Sequence, residues 1–118
     1  MRNPTLIFVV LVLSCLFVQP ATSTAQGRCL LVVRNSSGRQ FHRLHVSWNR
    51  DKDWGPNVLQ SALKPGMSVE LRDLVPAEYD VLLVDGNDNH CTLRGVQVYN
   101  NQTLTITEEA LANRCRRN

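Results

Sequence analysis

Residues 79–107 read YDVLLVDGNDNHCTLRGVQVYNNQTLTIT, and the fold turns on this stretch. Tyr79, Val81 and Leu83 alternate toward one face and Leu82 and Val84 toward the other, the period-two pattern of a strand. Asp85-Gly86-Asn87-Asp88-Asn89 is a turn signal; Leu93, Val96 and Val98 follow, Asn100-Asn101 turns the chain again, and Leu104 and Ile106 alternate with threonines. The spacing predicts three strands joined by two tight turns, with the last strand running back antiparallel along the fifth. Nothing in the stretch is recognisably catalytic.

Upstream, Leu30-Leu31-Val32-Val33 is a continuous apolar run, read as a strand buried on both faces or nearly so. Asn35-Ser36-Ser37-Gly38 turns the chain into a second strand with Leu44, Val46 and Trp48 on one face and Arg43, His45 and Ser47 on the other. Phe41 is out of phase and reads as a bulge or the strand's start. Residues 49–57 have no period and many turn formers; long irregular connections tend to carry function. Val58, Leu59 and Leu63 are expected to cover the sheet edge as a short helical turn. Lys64-Pro65-Gly66-Met67 has the type II turn pattern, and Val69 and Leu71 alternate with Glu70 and Arg72 after it. Thr107 with Glu108 and Glu109 reads as the start of a short C-terminal helical turn. Six short strands with frequent turns predict an all-β fold, a small antiparallel β-sandwich. The expected core is Leu31, Val33, Leu44, Val46, Trp48, Val69, Leu71, Tyr79, Val81, Leu83, Leu93, Val96, Leu104 and Ile106.

The beginning of the chain reads as a secretory signal over residues 1–25: Arg2, an apolar run from Leu6 to Val18, Pro20, and Ser23-Thr24-Ala25 before the cleavage point. The run is shorter than the roughly 20 residues a membrane span needs. Cys15 as a lipoprotein cysteine fits poorly, because the apolar run continues past it. The mature chain is then one domain, residues 26–118, secreted or periplasmic, with no stable membrane span. Setting aside Arg2 from 13 basic residues leaves 12 against 10 acids. Arg114, Arg116 and Arg117 supply three of those positives, so the body is near neutral and lacks the basic face of a nucleic-acid binder.

Export makes a disulfide the expected fate of two among Cys29, Cys91 and Cys115. Cys91–Cys115 is favoured, since a returning sixth strand brings the tail back to the start of the fifth; Cys29–Cys91 and Cys29–Cys115 stay open. No Cys-x-x-Cys or paired-His spacing marks a metal site, and no cofactor is expected.

Asp51-x-Asp53 and Asp85-x-Asn87-x-Asn89, the latter with Asp88 inside it, resemble calcium loops, since alternating Asp and Asn can supply several oxygens. The second run puts His90 where an EF-hand needs Gly and Val96 where it needs the bidentate Glu, and Asp/Asn clusters also cap ordinary turns. His42, His45 and His90 form no catalytic frame, and His42 and His45, three apart, face opposite sides of a strand. Asn35-Ser36-Ser37 and Asn101-Gln102-Thr103 are glycosylation sequons that count only in a eukaryotic secretory pathway. Trp54 beside Gly55 reads as a core cap or as a stacking residue for a sugar or partner.

The order of strand, Asp53-Trp54-Gly55 loop, Leu59, Pro65-Gly66 turn, Tyr79-Asp80-Val81 strand and Asp85-Gly86 turn resembles a family of small exported bacterial β-sandwich proteins of unassigned function, across residues 30–107. The resemblance implies fold and export but no activity. Many members carry a Cys shortly before the Tyr-Asp pair; here Ala77-Glu78 stands there, so a family bridge through that position is absent. The resulting expectation is a non-enzymatic binding or structural accessory of the bacterial envelope with a protein or glycan partner, contacted through Asp51, Asp53, Trp54 and Asn57. The alternatives are a calcium-dependent module using Asp51, Asp53, Asp85, Asn87 and Asp88, and a small secreted effector or inhibitor.

Overall fold

A computed structural model describes residues 27–48 and 53–115. The signal segment, Asp51 with the rest of residues 49–52, and Arg116 and Arg117 lie outside the described residues. The elements are β1 (Cys29–Asn35), β2 (Phe41–Trp48), β3 (Ser68–Leu74), β4 (Ala77–Asp85), β5 (His90–Val98), β6 (Gln102–Ile106) and α1 (Glu108–Arg114).

The six strands form two facing three-stranded sheets, ordered β3-β1-β6 and β2-β4-β5. The pairs β1–β3, β2–β4 and β4–β5 are antiparallel, whereas β6 lies parallel to β1. Among the described residues, β4–β5 is the one consecutive pair that shares a ladder; every other connection crosses between sheets. The predicted β5–β6 hairpin is therefore a correction. β6 does run back against the direction of β5, but in the opposite sheet, with Leu31 opposite Gln102 and Asn35 opposite Ile106. Alternation signals that a strand exists and which face it buries; it carries no information about which strand it lies beside.

The core forms where the inward rows meet: Leu31 and Val33 from β1, Leu44 from β2, Val81 and Leu83 from β4, Leu93 and Val98 from β5, and Ile106 from β6 are almost wholly buried. Leu82 and Val84 of central β4 are buried too, on the outer face, in register with His45 and Arg43 on one side and Thr92 and His90 on the other. Trp48 departs from expectation. It has the inward phase, but it ends an edge strand and is 50% exposed. Phe41, Leu63, Val98 and Leu111 take core places that the alternation did not assign. Phe41 sits at a register shift in β2, which explains its phase.

Three local devices set the architecture. Tyr79 donates its hydroxyl to the Val75 carbonyl at 2.5 Å, a tyrosine corner of the kind that fixes sheet-to-sheet crossings in β-sandwiches. Asp80 faces a bulge in β5, where Gly95 has φ +68, and accepts from the Gly95 N–H at 3.0 Å and from Arg94 at 3.1 Å. The Tyr-Asp pair thus holds a corner and a bulge. At the other end, Gly66 at φ +86 completes the type II turn, closed by the Met67 N–H to Lys64 carbonyl bond at 3.0 Å.

The C-terminal segment closes the sandwich. Thr107 caps α1 by accepting from the Ala110 N–H at 3.0 Å, Leu111 is buried, and Glu108 accepts from the Gly38 N–H at 3.0 Å. Cys91 and Cys115 form the disulfide, with Cα atoms 4.9 Å apart, and Cys29 is a buried free thiol. Both β6 and β5 present the required termini at the same end of the sandwich, so the bridge forms although β6 belongs to the other sheet. Among the described residues no helix is long and apolar enough to cross a membrane.

Candidate functional site: the aromatic end

The segment from Asp53 to Leu63 is not the predicted helical turn. It runs extended along the outer edge of β2. The Asp53 carbonyl accepts from Ser47 at 3.1 Å, the Gly55 N–H reaches Val46 at 3.3 Å, the Val58 N–H reaches Leu44 at 2.9 Å, and Leu63 exchanges two backbone bonds with Phe41. His45 Nδ1 meets the Gly55 carbonyl at 2.8 Å. This strap covers one sheet edge, which is how native sheets avoid edge-to-edge pairing. Asn57 is its central fastening: its side-chain oxygen accepts from the Leu44 N–H at 3.0 Å and from the Leu59 N–H at 3.1 Å.

The strap delivers Asp53 and Trp54 to the end of the sandwich where β2 and β5 finish and β4 begins. Trp48 is paired with Tyr79, and Ala77 with Val98, so Val75 and Tyr99 lie just beyond those last rows. Trp48, Trp54, Val75 and Tyr99 are all exposed there, by 50%, 37%, 43% and 59%. The other large exposed apolar side chain among the described residues, Met67, is at the opposite end. Among the described residues, the charged side chains of the aromatic end are few. Arg28 donates to the Asp73 carbonyl at 3.3 Å, Asp53 is exposed, and Glu78 accepts from Gln97 at 3.4 Å. Asn101 is exposed on the β5–β6 turn, with its side-chain oxygen held by the Leu30 N–H at 2.8 Å.

Asp85, Asn87 and Asp88 are at the far end from Asp53, so they do not come together with it; Asp51 lies outside the described residues. The Asp85 carboxylate accepts from the backbone N–H of Asn87 and of Asn89, both at 2.9 Å, and from the Asn89 side chain at 3.1 Å. Partial burial works to raise the Asp85 pKa, but the bonds from Asn89 and Asn87, helped by Arg39, outweigh it and hold the carboxyl below its ordinary value. Asp88 sits at φ +63 and pairs with Arg43 at 2.8 Å. These oxygens are occupied by turn chemistry, and among the described residues no three His, Cys, Asp or Glu side chains converge as a metal set.

A shallow cleft of about 350 Å³ beside this turn is lined by Arg39, Gln40, His42, Asp85, Gly86 and Asn87, and there His42 meets Gln40 at 3.3 Å. A second groove, of about 270 Å³, runs between the strap and β3. Neither lining sets a base against a nucleophile with an orienting third group.

No family model, curated protein or solved structure matches the chain. Its surface chemistry is therefore read from its own residues. The sequence pattern singled out Trp54 as an aromatic side chain of an irregular loop; it did not single out the exposure of Trp48, Val75 and Tyr99. Trp48 looked like core by phase, and Tyr99 and Val75 stand in turns, where alternation gives no facing. Of the two sequon asparagines, Asn35 is wholly buried; its amide donates to the Arg39 and Leu63 carbonyls at 2.7 and 3.0 Å, and its oxygen accepts from Ser37.

Proposed function

We propose that this chain is an exported, non-enzymatic binding or structural accessory protein of the bacterial envelope that meets its partner with the aromatic end of the sandwich. The observation that carries the reading is the grouping of Trp48, Trp54, Val75 and Tyr99, four exposed large apolar side chains at one end. Scattered single exposures are ordinary, whereas a group is the mark of an interaction surface, and Trp and Tyr are the residue types that dominate binding energy. The signal pattern of residues 1–25 and the Cys91–Cys115 bridge support secretion or a periplasmic location, since disulfides persist in oxidising compartments. The resemblance to the small exported bacterial β-sandwich family points the same way.

The test is retention in envelope extract. The wild-type chain and a Met67→Ala control are expected to retain the same components, and a Trp48→Ala/Trp54→Ala/Tyr99→Ala variant to lose them. Equal retention by the triple variant overturns the reading, and so does an exported protein whose N-terminal mass still includes Met1 rather than beginning at or near Gln26.

A further inference from the structure

We infer that the aromatic end rests on the surface of a lipid bilayer, the end from which the N-terminal segment leaves the sandwich being the end that exposes Trp48, Trp54, Val75 and Tyr99. The inference rests on the proposed export and binding role and names what this end meets.

The start of β1 lies among the exposed apolar positions. On one side Cys29 is in register with Leu74, and Arg28 donates to the Asp73 carbonyl at 3.3 Å, next in the chain to Val75. On the other side the Leu30 N–H donates to the Asn101 side chain at 2.8 Å, two residues past Tyr99. The chain that precedes Gly27 therefore departs from the aromatic end. On the proposed export, the apolar run Leu6–Val18 is the part that enters the bilayer. Only residues 19–26 separate that run from Gly27, and at about 3.3 Å per residue they reach roughly 30 Å at full extension. β4 and β5 have nine residues each and are about 27 Å long. Turning the far end to the bilayer would consume the whole tether along the length of the sandwich. The aromatic end is the one that a short tether delivers to the surface.

The exposed side chains match that delivery. Every exposed Trp, Tyr or Phe among the described residues lies at the exit end, while Phe41 and Tyr79 are buried. Trp and Tyr concentrate at the headgroup layer, where the ring is apolar and the N–H or O–H stays wet. This attraction is to the interface itself and needs no net charge on the protein, so it persists in salt that screens ionic attraction. At the far end Met67 is exposed without an aromatic neighbour in the chain, beside Lys64 and Glu70. Once the leader is removed, the same end keeps the surface to which it was delivered.

The experiment is titration of the exported, oxidised chain with phosphatidylcholine vesicles, with and without phosphatidylglycerol, at low and high salt. Sedimentation with the vesicles reports binding, and bromine-labelled lipids report the depth of Trp48 and Trp54, the chain's two tryptophans. Binding is expected on both vesicle types at both salt levels. Trp54→Phe leaves Trp48 as reporter and Trp48→Phe leaves Trp54; shallow bromines should quench each in turn. Trp54→Ala and Tyr99→Ala are each expected to weaken binding about tenfold, the scale of returning one large apolar side chain to water. Trp54→Phe and Tyr99→Phe should restore most of it, and Met67→Ala should leave it unchanged. Absence of vesicle binding overturns the inference, as does binding indifferent to the rings, binding abolished by high salt, or ring-dependent dimerisation in place of vesicle binding. If vesicles fail while retention in envelope extract still depends on the rings, the occupant is wrong and the binding role stands; if retention is also ring-independent, both fall.

Discussion

Asn57→Ala should undo the strap. In the native chain one side-chain oxygen serves the Leu44 and Leu59 N–H groups. Leu44 is fully buried, so its N–H has little access to water once the acceptor is gone, whereas Leu59 is half-buried and recovers part of its solvation. A typical hydrogen bond contributes about 1 kcal/mol net, and a buried donor left without a partner costs about 1–3 kcal/mol. The expected loss is about 2–3 kcal/mol, which for a domain under 100 residues lowers Tm by roughly 10–20 °C. Urea unfolding measures it, with Asn57→Asp as the control that keeps the acceptor and should lose less than about 1 kcal/mol at neutral pH. Hydrogen exchange should speed at Leu44 and Leu59 in the alanine variant, and Trp54 emission should shift to the red as its backbone loosens. If Asn57→Ala loses less than about 0.5 kcal/mol, the range of an ordinary surface substitution, or if the alanine and aspartate variants are equal, the strap is not held as described.

Three further outcomes follow from the geometry. Tyr79→Phe removes the corner bond to Val75 and should cost about 1 kcal/mol in urea unfolding, with the fold retained. Non-reducing peptide mapping should join the Cys91 and Cys115 peptides and leave Cys29 free, and Cys115→Ser should cost about 3 kcal/mol by the chain-entropy estimate for a bridge spanning 24 positions. Asp85 titrates below its ordinary value in the folded chain, so its contribution is complete above about pH 4 and is lost as pH falls through the folded value; Asp85→Asn should flatten the acid limb of a stability–pH profile.

Much of the fold was legible because β4 and β5 announce themselves twice, by alternation and by the turn between them. The Pro65-Gly66 turn, the Thr107 cap and the Phe41 irregularity were legible for a similar reason, since each is local chemistry with a residue signature. The partner of β6 was not, because its parallel pairing with β1 joins residues some 70 positions apart and leaves no trace in either strand's pattern. The strap was not legible either. Val58, Leu59 and Leu63 have helix-like spacing, yet the open edge of β2 offers backbone bonds that an isolated turn could not match. At the site, Trp54 was visible as an aromatic residue in an irregular loop. The exposure of Trp48 depends on its place at the end of an edge strand, a fact of topology rather than of sequence.

The most direct test of the aromatic end as the working surface is photocrosslinking in the envelope itself. A benzophenone side chain replacing Trp54, Tyr99 or Met67 inserts into any C–H bond it touches, whatever the partner's class. Positions 54 and 99 should each give the same adduct in the exported protein, and position 67 should give none. Adducts at position 67 alone, or none at positions 54 and 99, would contradict the account.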